Sequence, residues 1–221
     1  LVFGYYPEIV NNPGDEIERL KNLTESYLYK DVLQWENIQK PEKLEKLLTA
    51  LALQMGNEVS YNELSQLVGI DNLTVEKYIR LLEQSFIIFR LDGFNRNLRN
   101  EIKKGKKIYF YDNGIRNAIL NNFNSLNLRD DVGKLWENFL ISERMKTNSY
   151  HLKNFKTYFW RTHAQQEIDF LEEANGKISA YEFKWNERKK AKIPKNFSET
   201  YNPEIEKIIT KDNFHEFVIN R

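Results

Sequence analysis

The dipeptide Asn175-Gly176 sits between two runs of strand-like composition, "EIDFLEEA" and "KISAYEFKW". Asn-Gly is the strongest short signal for a two-residue hairpin, because both central residues of that turn need positive φ. Such a turn fixes the register of the strands that leave it. Asp169 then falls opposite Glu182, and Glu167 opposite Lys184. Strand side chains alternate faces with period two. These four residues are therefore expected on one face, and Ile168, Phe170, Tyr181, Phe183 and Trp185 on the other. Two carboxylates with Cβ atoms about 5 Å apart repel. A hard divalent cation bound by both, and completed by water and a phosphate oxygen, removes that repulsion.

The rest of the chain divides by pattern. Residues 1–35 open with "LVFGYYPEIV", turn at Pro13-Gly14 and continue as a mostly polar helix. With little to pack on, this stretch reads as the tail of a preceding region and a linker. Leu1 is not Met, so a longer parent chain is expected. In residues 36–112 an amphipathic helix, "EKLEKLLTALALQMG", stops near Gly56. Ser60 with Glu63 forms a capping box, Gly69 ends that helix, and Asp71 caps a third whose Val75, Ile79 and Leu82 keep one buried face. Two short helices about a Gly-containing turn make a helix-turn-helix. The strands "FIIFRL" and "KKIYFY" after it suggest a wing. The wing carries Arg96, Arg99, Lys103, Lys104, Lys106 and Lys107 against the single acid Glu101. Those six cations are its candidate DNA contacts. Thr74, Glu76, Lys77, Arg80 and Glu83 on the recognition helix cancel in charge, which suits phosphate poorly. Residues 113–221 run helix, antiparallel meander, helix, strand, an α/β sandwich pattern.

The spacing from Asp169 to Glu182-Phe183-Lys184 resembles the PD-(D/E)XK nuclease superfamily, of restriction-endonuclease-like fold. The wider chain is similar to the C-terminal half of bacterial and archaeal AAA-type ATPases. That similarity runs through "GYYPEI", "VSYNELSQLVGI", "TVEKYIRLLEQSFIIFRL", "KKIYFYDNGIRNAI", "DVGKLWENF", "YFWRT", "EIDF" and "YEFKW". The resemblance implies an α/β chain: a winged helix-turn-helix followed by a PD-(D/E)XK domain. It implies Mg²⁺ or Mn²⁺ held by Asp169 and Glu182 with Glu137 from the preceding helix, and Lys184 orienting an attacking water. Glu143 is a second helix candidate. It also implies DNA and the N-terminal ATPase domain of the parent protein as partners. The chain has no G-x-x-x-x-G-K-[ST], so it should not itself bind ATP in that way. Where RecB-type nucleases carry Gln-x-x-x-Tyr, this chain reads Phe197-Ser-Glu-Thr-Tyr201. Arg161, His163 and Gln166 flank the centre and are further candidates for phosphate contact. The rival expectation is a non-catalytic scaffold that binds the ATPase domain or another protein.

Composition narrows the chemistry. The 221 residues contain no cysteine, which removes disulfides, thiol catalysis and cysteine-based zinc sites. No apolar run approaches the roughly 18 residues of a membrane span, and no secretory signal opens the chain. A cytoplasmic protein is expected. Net charge is +1, so attraction to nucleic acid must come from local patches.

Overall fold

A computed structural model describes residues 1–26, 40–96, 105–186 and 192–219. The chain is mixed α/β and divides into two compact units. The first comprises Leu1–Arg90 and Lys107–Asp131; the second comprises Leu91–Lys106 and Val132–Arg221.

The first unit contains helices α1 (Pro7–Val10), α2 (Glu16–Leu23), α3 (Pro41–Leu53), α4 (Tyr61–Val68), α5 (Asn72–Gln84) and α6 (Asn113–Ile119). Its strands are β1 (Glu58–Val59), the start of β2 (Ile88–Gly93) and β3 (Lys106–Phe110), with β3 between the other two. The caps form as the sequence anticipates. Ser60 Oγ accepts the Glu63 N–H at 3.3 Å, and Asp71 Oδ1 accepts the Thr74 N–H at 2.9 Å. Gly69 ends α4 in the left-handed conformation at φ 74°. Leu47, Leu51, Leu64, Val68, Val75, Ile79 and Leu82 are wholly buried and form the unit's core.

The N-terminal residues are not a detached tail. The Tyr5 N–H donates to Asp112 Oδ2 at 2.7 Å, and Asn117 Nδ2 donates to the Val2 carbonyl at 2.8 Å. Asp112 also caps α6 through the Gly114 and Ile115 N–H groups. Gly4, at φ 71°, lies so close to the Asp112 carboxylate that a Cβ there would overlap it; a Cβ on Gly114 would overlap the Phe3 carbonyl. Leu20 and Ile9 are buried. Compactness thus groups residues 1–26 and α6 with the first unit. The linker expected up to residue 35 falls partly on residues outside those described.

A polar knot closes the first unit. Arg116 and Arg129 both bond Asp131, and Arg116 Nε donates to the Ala52 carbonyl at 3.0 Å. Burial alone would raise the Asp131 carboxyl. The hydrogen bonds and charges of the two arginines outweigh it and hold the group at about 2.

The second unit contains α7 (Val132–Tyr150), β4 (Lys156–Arg161), β5 (Glu167–Ala174), β6 (Lys177–Phe183), α8 (Lys195–Tyr201), β7 (Ile205–Ile209) and α9 (Phe214–Val218). The end of β2 pairs parallel with β4; β4, β5 and β6 form an antiparallel meander; β7 joins β6 in parallel. Parallel neighbours need a crossover, and the segment containing α8 supplies it. One sheet face packs Phe170, Tyr181 and Phe183 around Phe217 of α9. The other packs Trp160, Ile168, Leu171, Ile178 and Ala180 with Phe94 and with Phe197 of α8. On the first face, buried Arg144 of α7 makes a two-pronged bond to buried Glu172 at 2.8 and 2.9 Å and donates to the Phe217 carbonyl. That pair fixes α7 and α9 to β5. Among the described residues no helix is long and apolar enough to cross a membrane.

Two outcomes are expected. Gly114→Ala should destabilise the first unit by about 1–3 kcal/mol, read by chemical denaturation, because Phe3 backbone has no room for a methyl group. The stability that Asp131 contributes should be present above the ordinary aspartate range and fall away as pH drops toward 2, because its carboxyl is depressed in the folded state. Its size should be roughly 1–2 kcal/mol after solvent screening, and Asp131→Asn should flatten the acid limb of the stability curve.

Candidate metal centre

The Asn175-Gly176 turn forms, with φ 53° and 78°. Ala174 pairs with Lys177 and the ladder continues in the expected register to Phe170↔Tyr181. The next pair would be Asp169 with Glu182, and here regular pairing stops. In an unbroken ladder the Phe183 N–H would meet the Ile168 carbonyl. Instead it donates to Asp169 Oδ2 at 2.7 Å. The Asp169 carboxylate thus reaches laterally across the gap and stands in for backbone.

The expected alternation of faces fails at the same place. Ile168 and Phe170 were assigned to one face. In the structure Ile168 joins the cluster of Trp160, Leu171 and Ala180, while Phe170 packs on Phe183 and Phe217. The cause is a register shift between β4 and β5: Tyr158 pairs with Leu171 but Trp160 with Ile168. An extra residue on one strand breaks the period-two rule and bends the strand. Asp169 sits within that irregularity.

Glu182 and Lys184 lie where the hairpin opens. Glu182 Oε1 accepts from Lys184 Nζ at 2.7 Å. Glu182 Oε2 is buried and has no hydrogen-bond partner among the described residues. Burial pushes the Glu182 carboxyl above its usual range. The bond from Lys184 pulls it down, and the charges of Glu137 and Glu167 push it up again. For Lys184, burial works against the ammonium, but the bond to Glu182 and the charges of Glu182, Asp169 and Glu137 outweigh it and raise its pKa. These mutual effects bring Asp169, Glu182, Lys184 and Glu137 into one electrostatic group. Glu143 is not part of it, since it pairs with Lys146 at 2.7 Å. Among the described residues no group of three or more His, Asp or Glu side chains is arranged as a ready ligand set.

The other candidates separate. Arg161 ends β4, bonded to Gln165 and 3.9 Å from Glu167. His163 and Gln166 are exposed in the β4–β5 loop. Of the cations expected between β2 and β3, Arg99, Lys103 and Lys104 lie outside the described residues. Arg96 is exposed and stands 5.6 Å from the Tyr201 ring centre. Lys106 is half-buried, and Lys107 is only 3% exposed. Lys107 is therefore not a surface cation, because β3 carries it inward beside Ile108 and Tyr109. On α5 Arg80 pairs with Glu76, and Glu83 pairs with Arg90 at 2.6 Å. Helix α9, whose Phe217 anchors one face of the sheet, was absent from the sequence reading; five residues are too few to show a period.

Comparisons place the chain in a family. Residues 1–126 match the domain of unknown function DUF8612, and the chain belongs to that family. Residues 132–220 match the domain of unknown function DUF4143, so the boundary between the matches falls where the second unit's long helix begins. The chain is similar to the uncharacterized protein Rv2008c of Mycobacterium tuberculosis and its counterpart Mb2031c of Mycobacterium bovis. Each is 25% identical over 138 residues, covering 62% of this chain and 30% of the relative. It is also similar to the uncharacterized protein MJ1544 of Methanocaldococcus jannaschii, 23% identical over 176 residues, covering 76% of this chain and 37% of that protein. The chain thus spans about a third of the length of these curated relatives. No solved structure matches it.

The buried Glu182 carboxylate yields a stability prediction. The folded state holds its proton more tightly than the unfolded chain does. Stability should therefore fall as pH rises from the ordinary glutamate range through the raised value. Glu182→Gln should remove that fall, measured by urea denaturation across the range without metal. Lys184→Met should deepen it, because it leaves the buried charge without its ammonium.

Proposed function

We propose that residues 132–220 form a metal-dependent phosphodiesterase centre of the PD-(D/E)XK type, carried behind a winged helix-turn-helix that contacts DNA. The observation that carries this reading is the buried Glu182 Oε2, an acceptor with no hydrogen-bond partner among the described residues, in one charge group with Asp169 and Lys184. A buried carboxylate oxygen left unsatisfied is costly, and a cation is the ligand that suits it. The donor set is all carboxylate oxygen, which fits Mg²⁺ or Mn²⁺. Asp169 and Glu182 would hold the ion, with Glu137 of α7 as the third acid. When bound, such an ion lowers the pKa of a coordinated water and polarises a phosphate.

The chain's own residues do the remaining work. Asp169 takes the Phe183 N–H in place of a backbone carbonyl, so regular pairing of β5 with β6 ends beside Glu182 and Lys184. Lys184 brings a positive charge to within 2.7 Å of Glu182, where it can orient water and balance charge that develops on phosphate oxygens. The helix order α3, α4, α5 with β1, β3 and β2 supports the winged-helix reading. The exposed Arg96 and half-buried Lys106, together with Arg99, Lys103 and Lys104, are the basis for DNA contact. An N-terminal ATPase domain in the parent protein is the proposed partner within the chain. A cytoplasmic location accords with the cysteine-free composition.

One observation favours a second reading for the first unit. Leu73, at the start of the recognition helix, is 79% exposed, and Leu67 on the helix before it is 51% exposed. The N-terminal residues of a recognition helix are those that meet base edges. An apolar pair there suits a protein surface, and the unit would then be a docking scaffold.

The test combines calorimetry with a cleavage assay. Mn²⁺ should bind the wild type and raise its melting temperature by mass action. Asp169→Ala should lose both the binding and any cleavage of DNA; Lys184→Ala should keep the ion and slow cleavage by about 100-fold or more. Equal metal-induced stabilisation of wild type and Asp169→Ala would place the ion elsewhere and end this reading.

A further inference from the structure

Strand β7 lies outermost, beyond β6, and pairs with it in parallel from Ser179↔Ile205 to Phe183↔Ile209. Three bonds fix the direction of its backbone groups. The Ile209 carbonyl accepts from the Lys184 N–H at 2.9 Å, so Ile209 turns toward β6. The Ile208 carbonyl instead accepts from Asn213 Nδ2 at 2.9 Å, and the Thr210 N–H donates to Asn213 Oδ1 at 2.8 Å. Successive residues of a strand direct their backbone groups to opposite edges. Ile205 and Lys207 therefore serve the β6 ladder together with Ile209. Glu206 presents its N–H and C=O outward, as does Ile208, whose carbonyl Asn213 closes off.

The side chains of this edge carry a defined order of charge. Lys207 pairs with Tyr181 and shares its sheet face, the one where Tyr181 packs on Phe217 of α9. Glu206 pairs with Ala180 and takes the opposite face, with Phe197 of α8. Ile205, Glu206 and Lys207 are exposed, and neither charge is in an ion pair among the described residues. A cavity of about 350 Å³ is lined by every residue of β7 and by Asn213, Glu216 and Phe217, with Tyr181 and Arg144. The open edge thus has a hollow beside it on the Lys207 face.

We propose that β7 takes up an extended segment of a partner protein as a further, antiparallel strand, whose residues read apolar, acidic, basic, apolar from its N-terminal end. In an antiparallel pair directly opposite residues share a face, and opposite charges there attract. The segment's acid then meets Lys207, its base meets Glu206, and its apolar residues meet Ile208 and Ile205. The base exchanges two backbone hydrogen bonds with the outward N–H and C=O of Glu206. Backbone bonds of this kind supply affinity, and the side chains supply selection. The apolar residue opposite Ile205 lies on the Tyr181 face, where the hollow can receive it. Asn213 ends the docking edge at Ile208. Docking here requires no metal.

The experiment titrates the full chain into a fluorescein-labelled peptide, Thr-Val-Glu-Lys-Val-Thr, and reads anisotropy with EDTA present. The comparison peptide, Thr-Val-Lys-Glu-Val-Thr, sets like charge against like in the antiparallel register. The first peptide should bind about tenfold more tightly, and the double variant Glu206→Lys with Lys207→Glu should reverse the preference. Glu206→Pro removes an N–H that β6 does not use, a place where an edge strand tolerates proline, and should abolish binding of both peptides. Circular dichroism is the folding control. If Glu206→Pro fails to fold, the first peptide methylated on the backbone nitrogen of its lysine decides, and it should not bind the wild type. No change in anisotropy with protein up to about 0.5 mM, equal affinity for the two peptides, or preference for the second overturns the proposal. Sedimentation of the chain alone tests the other occupant. Self-association that Glu206→Pro abolishes would give the edge to a second copy and overturn the proposal as well.

Discussion

Much of the second unit depends on one hydrogen bond, from the Phe183 N–H to the Asp169 carboxylate. It does two jobs that ordinarily conflict. A sheet gains stability when its ladder continues, and a site gains access when the ladder stops. A backbone N–H left without a partner would make stopping costly. The aspartate supplies an acceptor for that N–H, so β5 and β6 can part without an orphaned donor between them. The irregularity against β4 at the same residues bends β5 in the same region. Glu182 and Lys184 then lie beyond the last regular pair of β5 with β6, while β6 stays paired with β7.

The sequence showed this region clearly up to the point where local rules end. Asn175-Gly176 forces a turn, the turn forces a register, and the register holds from Ala174 to Phe170. The period-two rule then placed Ile168 on the same face as Phe170, and that was wrong. A bulge depends on what a third strand, β4, does beside the hairpin, and nothing within 167–185 encodes it. Caps were legible for the opposite reason: Ser60, Gly69 and Asp71 act on N–H and C=O groups within four residues of themselves. The packing of the N-terminal segment was not legible because its partners, Asp112 and Asn117, are more than a hundred residues away. The burial of Lys107 was not legible because a charge run suggests solvent, while β3 is an inner strand between β1 and β2 and buries every residue from Lys107 to Phe110.

The two units use charge differently. In the first, Arg116, Arg129 and Asp131 satisfy one another, and the arginines drive the aspartate to about 2. In the second, Arg144 and Glu172 do the same on one sheet face. These are closed accounts of charge, suited to holding helices and strands in place. The group at Glu182 is left open, with one oxygen bonded to Lys184 and the other without a hydrogen bond among the described residues. That contrast within a single chain separates the proposed reactive centre from the structural pairs.

Strand β7 ends the sheet, and its Ile205, Glu206 and Lys207 are exposed. An outer strand invites pairing with another molecule. Two copies joined antiparallel about a two-fold axis must set residues of the same sheet face against each other. Centred on Glu206, such a pairing opposes glutamate to glutamate; centred on Lys207, lysine to lysine; centred on Ile205, Glu204 to Glu206. The favourable match of Glu206 with Lys207 is forbidden, because adjacent residues face opposite ways. In these registers the outermost strand meets a second copy of itself through like charge, and parity denies it the opposite-charge match.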